Sequence, residues 1–103
     1  MITLIKQTKS GITLLCQKYD VERLYLFGSA ANGGFDPACS DIDFAVSFRH
    51  RAASGEYADR YLGLAEDLEQ LLKRPVDLIT TEAIHNPYFR QEVEKSRELI
   101  YAA

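Results

Sequence analysis

Two aspartates stand at alternate positions of an otherwise apolar run, Ser40-Asp41-Ile42-Asp43-Phe44-Ala45-Val46. In an extended strand, residues i and i+2 point to one face with Cα atoms about 7 Å apart, so both carboxylates can reach one cation or two adjacent ones. Two like charges on a half-buried sheet face are costly unless something cationic answers them. Upstream, Leu24-Tyr25-Leu26-Phe27 runs out into Gly28-Ser29 and the small residues Ala30-Ala31-Asn32-Gly33-Gly34. Such a turn lets backbone N–H groups and the Ser29 hydroxyl approach a polyphosphate. A third aspartate, Asp77, lies in Val76-Asp77-Leu78-Ile79-Thr80. Mg²⁺ takes oxygen ligands, typically a few carboxylates with waters and substrate phosphates. Two such ions can stabilise the attacking and the leaving oxygen in nucleotidyl transfer. Phosphate cradle, paired aspartates and a further aspartate therefore make a coherent nucleotide–Mg²⁺ site, provided the fold brings Asp77 alongside. Asp77 could instead pair with a buried arginine such as Arg74 or Arg90. Ser29 could serve as a helix cap, which is compatible with an anion site.

The elements that must position these residues are legible from periodicity. Ile5, Ile12, Leu15, Cys16 and Tyr19 share a face at helical spacing and predict an amphipathic helix from about residue 3 to 19. Residues 22–27 read as a strand with apolar side chains on both faces, hence one covered on both sides. In residues 41–48 the alternation is complete: Ile42, Phe44, Val46 and Phe48 on one face, Asp41, Asp43, Ala45 and Ser47 on the other. Tyr57, Tyr61, Leu64, Ala65, Leu68, Leu71 and Leu72 form the stripe of a second long helix, which Pro75 stops. Val76 to Thr80 reads as a third strand. Thr81 to Ile84 reads as one helical turn, and Asn86-Pro87 as the start of a last helix reaching about Tyr101, with Phe89, Val93 and Ile100 inward. The order predicts an α/β (α+β) layered domain over residues 1–103, with a small sheet flanked by helices.

Composition narrows the class. The chain has 103 residues, 47% hydrophobic and 26% charged, as in an ordinary globular domain with one core. A net charge of −3 argues against a nucleic-acid backbone as the main partner. No apolar run approaches the roughly 20 residues of a membrane helix, and the first residues lack a signal-peptide pattern. Cys16 and Cys39 make neither a disulfide framework nor a zinc spacing, so a cytoplasmic protein is expected. Cys39 has no histidine beside it in sequence to serve as a nucleophile's base. Arg49-His50-Arg51 reads as an exposed loop rather than a phosphate or partner clamp.

Leu26-Phe27-Gly28-Ser29 followed by Ser40-Asp41-Ile42-Asp43-Phe44-Ala45-Val46 resembles the GS…DxD signature of the DNA polymerase β-like nucleotidyltransferase superfamily. The whole chain is similar to a minimal nucleotidyltransferase (MNT), with Pro75-Val76-Asp77-Leu78-Ile79 at the usual place of the third carboxylate. The resemblance implies the polymerase β-like palm fold, a mixed sheet flanked by helices. It implies Mg²⁺ held by Asp41, Asp43 and Asp77 as catalytic residues, and ATP phosphates held by Gly28 and Ser29. Such proteins often pair with a HEPN-domain toxin in a toxin–antitoxin module, and the reaction implied is transfer of AMP to a tyrosine of that toxin. Two positions depart from the family pattern. Eleven residues, 30 to 40, separate Ser29 from Asp41 where ten are common. Asn32 stands where an arginine is usual, replacing a charged phosphate donor by a weaker neutral one.

The expectation is thus an Mg²⁺-dependent nucleotidyltransferase whose acceptor site is completed by a partner protein in a homo- or hetero-oligomer. A non-catalytic module that covers a HEPN partner is the second expectation. A small-molecule transferase that borrows a second domain is the third.

Overall fold

The computed structural model describes residues 3–28, 41–49, 55–81 and 87–103. Helix α1 (Thr3–Lys18) leads into strand β1 (Val21–Phe27), and β2 (Ile42–Phe48) is followed by helix α2 (Gly55–Leu72), β3 (Val76–Thr80), α3 (Pro87–Ser96) and β4 (Glu98–Ala102). The four strands form one mixed sheet in the order β3-β2-β1-β4. β1 is antiparallel to β2 and to β4, whereas β2 and β3 run parallel with α2 as the crossover between them.

The alternation in β2 sets the layers. Ile42, Phe44, Val46 and Phe48 are all buried and pack with Ile5, Ile12 and Cys16 of α1 and with Leu64, Leu68 and Leu72 of α2. Both long helices therefore cover the same sheet face, and their stripes are those the periodicity predicts. The helices approach closely because two contact positions are glycine. A Cβ on Gly11 would lie 3.0 Å from Leu71 Cδ1, and one on Gly63 would lie 2.8 Å from the Tyr19 ring. Tyr19 and Lys18 of this seam meet Asp67 across it, at 2.5 Å from the hydroxyl and 3.4 Å from the ammonium. Both helices end on a residue in the left-handed region, Asp20 (φ 58°) after α1 and Lys73 (φ 56°) after α2. Asp20 also ties the ends of three elements: its carbonyl accepts from the Arg49 N–H, and its carboxylate faces Arg49 and Arg60 at 3.9 and 3.7 Å.

The opposite sheet face carries a smaller apolar cluster of Phe27 and Ala45, with Tyr25 and Ile79 packed on it. Phe27 is buried, as expected of a first strand covered on both sides, and Ala45 beside it on β2 is buried as well.

The C-terminal segment corrects the sequence-based expectation. The last helix does not reach Tyr101; it stops at Ser96, and Glu98–Ala102 is a fourth strand against β1. Ile100 is buried as expected, but from a strand. Pairing satisfies the N–H and C=O groups of β1 that a continued helix would leave open, and this gain outweighs the helical spacing. The register shifts between Leu24 and Tyr25, which lets consecutive Ile100 and Tyr101 both reach the helix-covered core. The turn expected at Thr81–Ile84, beyond Thr81, lies outside the described residues, as do the side chains of Phe89, Val93 and Tyr57.

Candidate active site

The carboxylates are placed by register. Asp43 pairs level with Phe27 of β1 on one side and with Asp77 of β3 on the other. Cross-strand partners share a face, so Asp43 and Asp77 project together from the face opposite α1 and α2, beside the Phe27–Ala45 cluster. Neighbouring strands are about 4.8 Å apart, which sets the two carboxylates side by side. Asp41 immediately precedes β2 and is exposed at the rim. The Asp77 that sequence alone could not locate is thus delivered to Asp43 by the parallel β2–α2–β3 unit. It is not buried against arginine: Asp77 is exposed, and Arg90 is engaged with Glu94 at 3.3 Å.

The site is electrostatically loaded. Burial first, then the charges of Asp77 and Asp41, raise the Asp43 carboxyl above its ordinary value. No cation among the described residues pairs with any of the three. Among the described residues, no group of three or more acidic, histidine or cysteine side chains closes into a metal cage. The donor set is all oxygen, half-buried at Asp43 and open at Asp41 and Asp77, which suits a hard cation that keeps water and phosphate ligands.

Gly28 caps the arrangement. It leaves β1 with φ +71°, and a Cβ added there would overlap Asp43 Oδ2. Only glycine allows both the backbone conformation and the closeness of this turn to the carboxylate. Ser29 and Asn32, expected to complete the phosphate cradle, lie outside the described residues, as do the loop to Ser40, His50, Arg51 and Cys39.

Other groups named from sequence have structural roles. Cys16 is buried, and desolvation pushes its thiol up to about 12, so it is no nucleophile. The Tyr61 hydroxyl donates to the Leu78 carbonyl and anchors α2 to β3. A groove of about 430 Å³ between α1 and α2, lined by Gly11, Leu14, Leu15, Asp67, Gln70 and Leu71, contains none of the three site carboxylates.

Comparison with known proteins decides the family. Residues 9–100 match the model of the nucleotidyltransferase domain. The chain belongs to that family. A Methanocaldococcus jannaschii protein, MJ1379, described as a candidate protein adenylyltransferase, is 42% identical over 88 residues, covering 85% of this chain and 83% of its own. The fold is shared with a candidate minimal nucleotidyltransferase of known structure (TM-score 0.68, 25% identity, 94% of this chain and 95% of that one). It is shared also with a chain from the structure of a tri-AMPylated Shewanella oneidensis HEPN toxin in complex with an MNT antitoxin (TM-score 0.65, 21% identity, 95% and 72%). This nucleotidyltransferase therefore has the enzyme fold and family that its GS…DxD residues resemble.

One charged group of the carboxylate-bearing face was absent from the sequence-based expectations. Arg97 lies just before β4 with its guanidinium 4.6 Å from the Tyr25 ring centroid. Its placement depends on β4, which the helical spacing of Phe89, Val93 and Ile100 concealed; the β-prone run Leu99-Ile100-Tyr101 was the available signal.

Proposed function

We propose that this nucleotidyltransferase moves AMP from ATP to a hydroxyl group of a partner protein, with Mg²⁺ as its cofactor. The observation that carries this reading is the level pairing of Asp43 with Asp77 beneath a left-handed Gly28 that touches Asp43. Asp41, Asp43 and Asp77 would hold the metal, which supplies charge neutralisation at the phosphates when bound. Gly28 keeps the turn free of a side chain where polyphosphate must lie against the aspartates, and Ser29 and Asn32 would add donors to it. Asp77, on an edge strand and exposed, would also help activate an acceptor hydroxyl approaching from that side by taking up its proton. The acceptor oxygen then bonds to the α-phosphorus, the α–β bridging bond breaks, and pyrophosphate leaves.

The acceptor class is supported by the described activity of the Methanocaldococcus jannaschii relative and by the AMPylated toxin in the structural neighbour. The partner proposed is a HEPN-type toxin, which makes this chain the antitoxin of the pair and its site of action cytoplasmic. No helix among the described residues is long and apolar enough to cross a membrane. The test is incubation with α-labelled ATP, Mg²⁺ and the HEPN protein of a neighbouring gene. Label on the HEPN protein, lost with Asp41→Asn plus Asp43→Asn, is the expected result. A tight complex without label would replace enzymatic silencing by simple covering of the toxin, and label surviving the double substitution would overturn the site.

A further inference from the structure

Asp43 approaches the Gly28 turn from the β2 side. β1 lies between β2 and β4, so whatever rests on the end of β1 is flanked by Asp43 from β2 and by the first residues of β4. Glu98 pairs with Leu26, which puts Arg97 level with Phe27, in the same cross-strand row as Asp43 and Asp77. Its face is settled by contact. Leu99 pairs with Tyr25, and the Arg97 guanidinium lies over the Tyr25 ring, which packs on the Phe27–Ala45 cluster of the carboxylate face. Arg97 is exposed, and among the described residues it makes no ion pair.

We propose that Arg97 binds the polyphosphate of the nucleotide from the side of the Gly28 turn opposite Asp43. The inference rests on the nucleotide-binding reading above. The distances allow it. Arg97 and Asp43 flank β1 at one strand spacing each, about 4.8 Å, and an arginine side chain is long enough to swing from the Tyr25 ring forward over the turn. A planar guanidinium binds phosphate oxygens bidentately, whereas the Asn32 amide is neutral. Tyr25 keeps the guanidinium on this face of the sheet until the nucleotide arrives, and the phosphate contact must outweigh the ring contact it replaces. Polyphosphate would then lie between the carboxylates proposed to hold the metal on one flank and a mobile side-chain cation on the other. Arg97 thereby supplies, from the far end of the chain, the charge that position 32 lacks.

The test is calorimetric titration of the full chain and of Arg97→Gln, Arg97→Lys and Tyr25→Leu with Mg²⁺·ATP, Mg²⁺·pyrophosphate and AMP. Gln removes the charge and some of the reach, whereas Lys keeps the charge and a long stem without the planar fork. Arg97→Gln should weaken ATP and pyrophosphate about tenfold or more, the loss expected of one charge-assisted contact, and leave AMP within about twofold. Lys should recover part of the loss, and Tyr25→Leu should weaken ATP less than Arg97→Gln. Unchanged ATP and pyrophosphate affinity in Arg97→Gln overturns the proposal while leaving the nucleotide reading intact. An equal loss for AMP also overturns it, because Arg97 would then act on the nucleoside or the fold. Absence of Mg²⁺·ATP binding by the unaltered chain overturns the nucleotide reading and this inference with it.

Discussion

Phe44 and Asp43 are neighbours on β2 and belong to opposite worlds. Phe44 is wholly buried beneath α1 and α2, in an apolar cluster that both helices and all four strands share. Asp43 projects from the other face, half-buried, with Asp77 beside it and Asp41 nearby. One face of the sheet is arranged to lower the free energy of folding. The other keeps like charges together at the expense of stability, as expected where a ligand supplies the missing countercharge. The same strand therefore serves as the centre of the core and as the floor of the site, and a period of two residues separates the roles.

Substitution at these neighbours should break the comparison most sharply. Asp43→Asn should lower label transfer by roughly a hundred- to a thousandfold or more in a single-turnover assay, yet melt no earlier than the unaltered chain, because it relieves repulsion. Phe44→Ala should lower stability by about 3–5 kcal/mol in denaturant titration. Transfer per folded molecule should be affected far less than by Asp43→Asn. If both variants lost activity and stability together, the two faces would not be separable.

Gly28→Ala falls between them. The left-handed backbone and the overlap with Asp43 should make it destabilising by about 1–3 kcal/mol, and it should also weaken nucleotide binding. Gly11→Ala tests the helix seam instead. The added methyl meets only the flexible end of Leu71, at 3.0 Å, and gains helix propensity, so the net change should stay within about 1 kcal/mol in either direction.

The carboxylates on the two sides of the sheet should respond oppositely to pH. Asp43 is raised by burial, Asp77 and Asp41, so its contribution favours the fold at low pH. It is lost as pH rises from the ordinary carboxylate value through the raised folded one. Asp67, in the helix seam, is lowered chiefly by the hydrogen bond from Tyr19. Its contribution is present above the ordinary value and is lost as pH falls through the lowered one. Stability profiles of Asp43→Asn and Asp67→Asn between about pH 3 and 7 should therefore deviate from the parent in opposite senses. Deviations of the same sign would refute the assignment.

Much of this was legible in residue order. The two long helices, the first three strands and the division of β2 into apolar and acidic faces follow from periods of 3.6 and 2 residues, which local geometry imposes on any chain. Asp41, Asp43 and Gly28 could be nominated for the same reason, since their relation is local to one strand and one turn. Family membership followed from those motifs and is borne out by the match over residues 9–100.

Tertiary structure decided the rest. Glu98–Ala102 becomes a strand because β1 offers an open edge, an interaction between distant segments that helical spacing in residues 87–101 could not reveal. Asp77 comes to stand beside Asp43 because the parallel register sets the two level, and Arg97 joins their face because the β4 register sets it level with Phe27. Periodicity tells which way a side chain points along its own strand. Which residues then stand side by side depends on pairing between strands far apart in sequence, and only the assembled sheet fixes that.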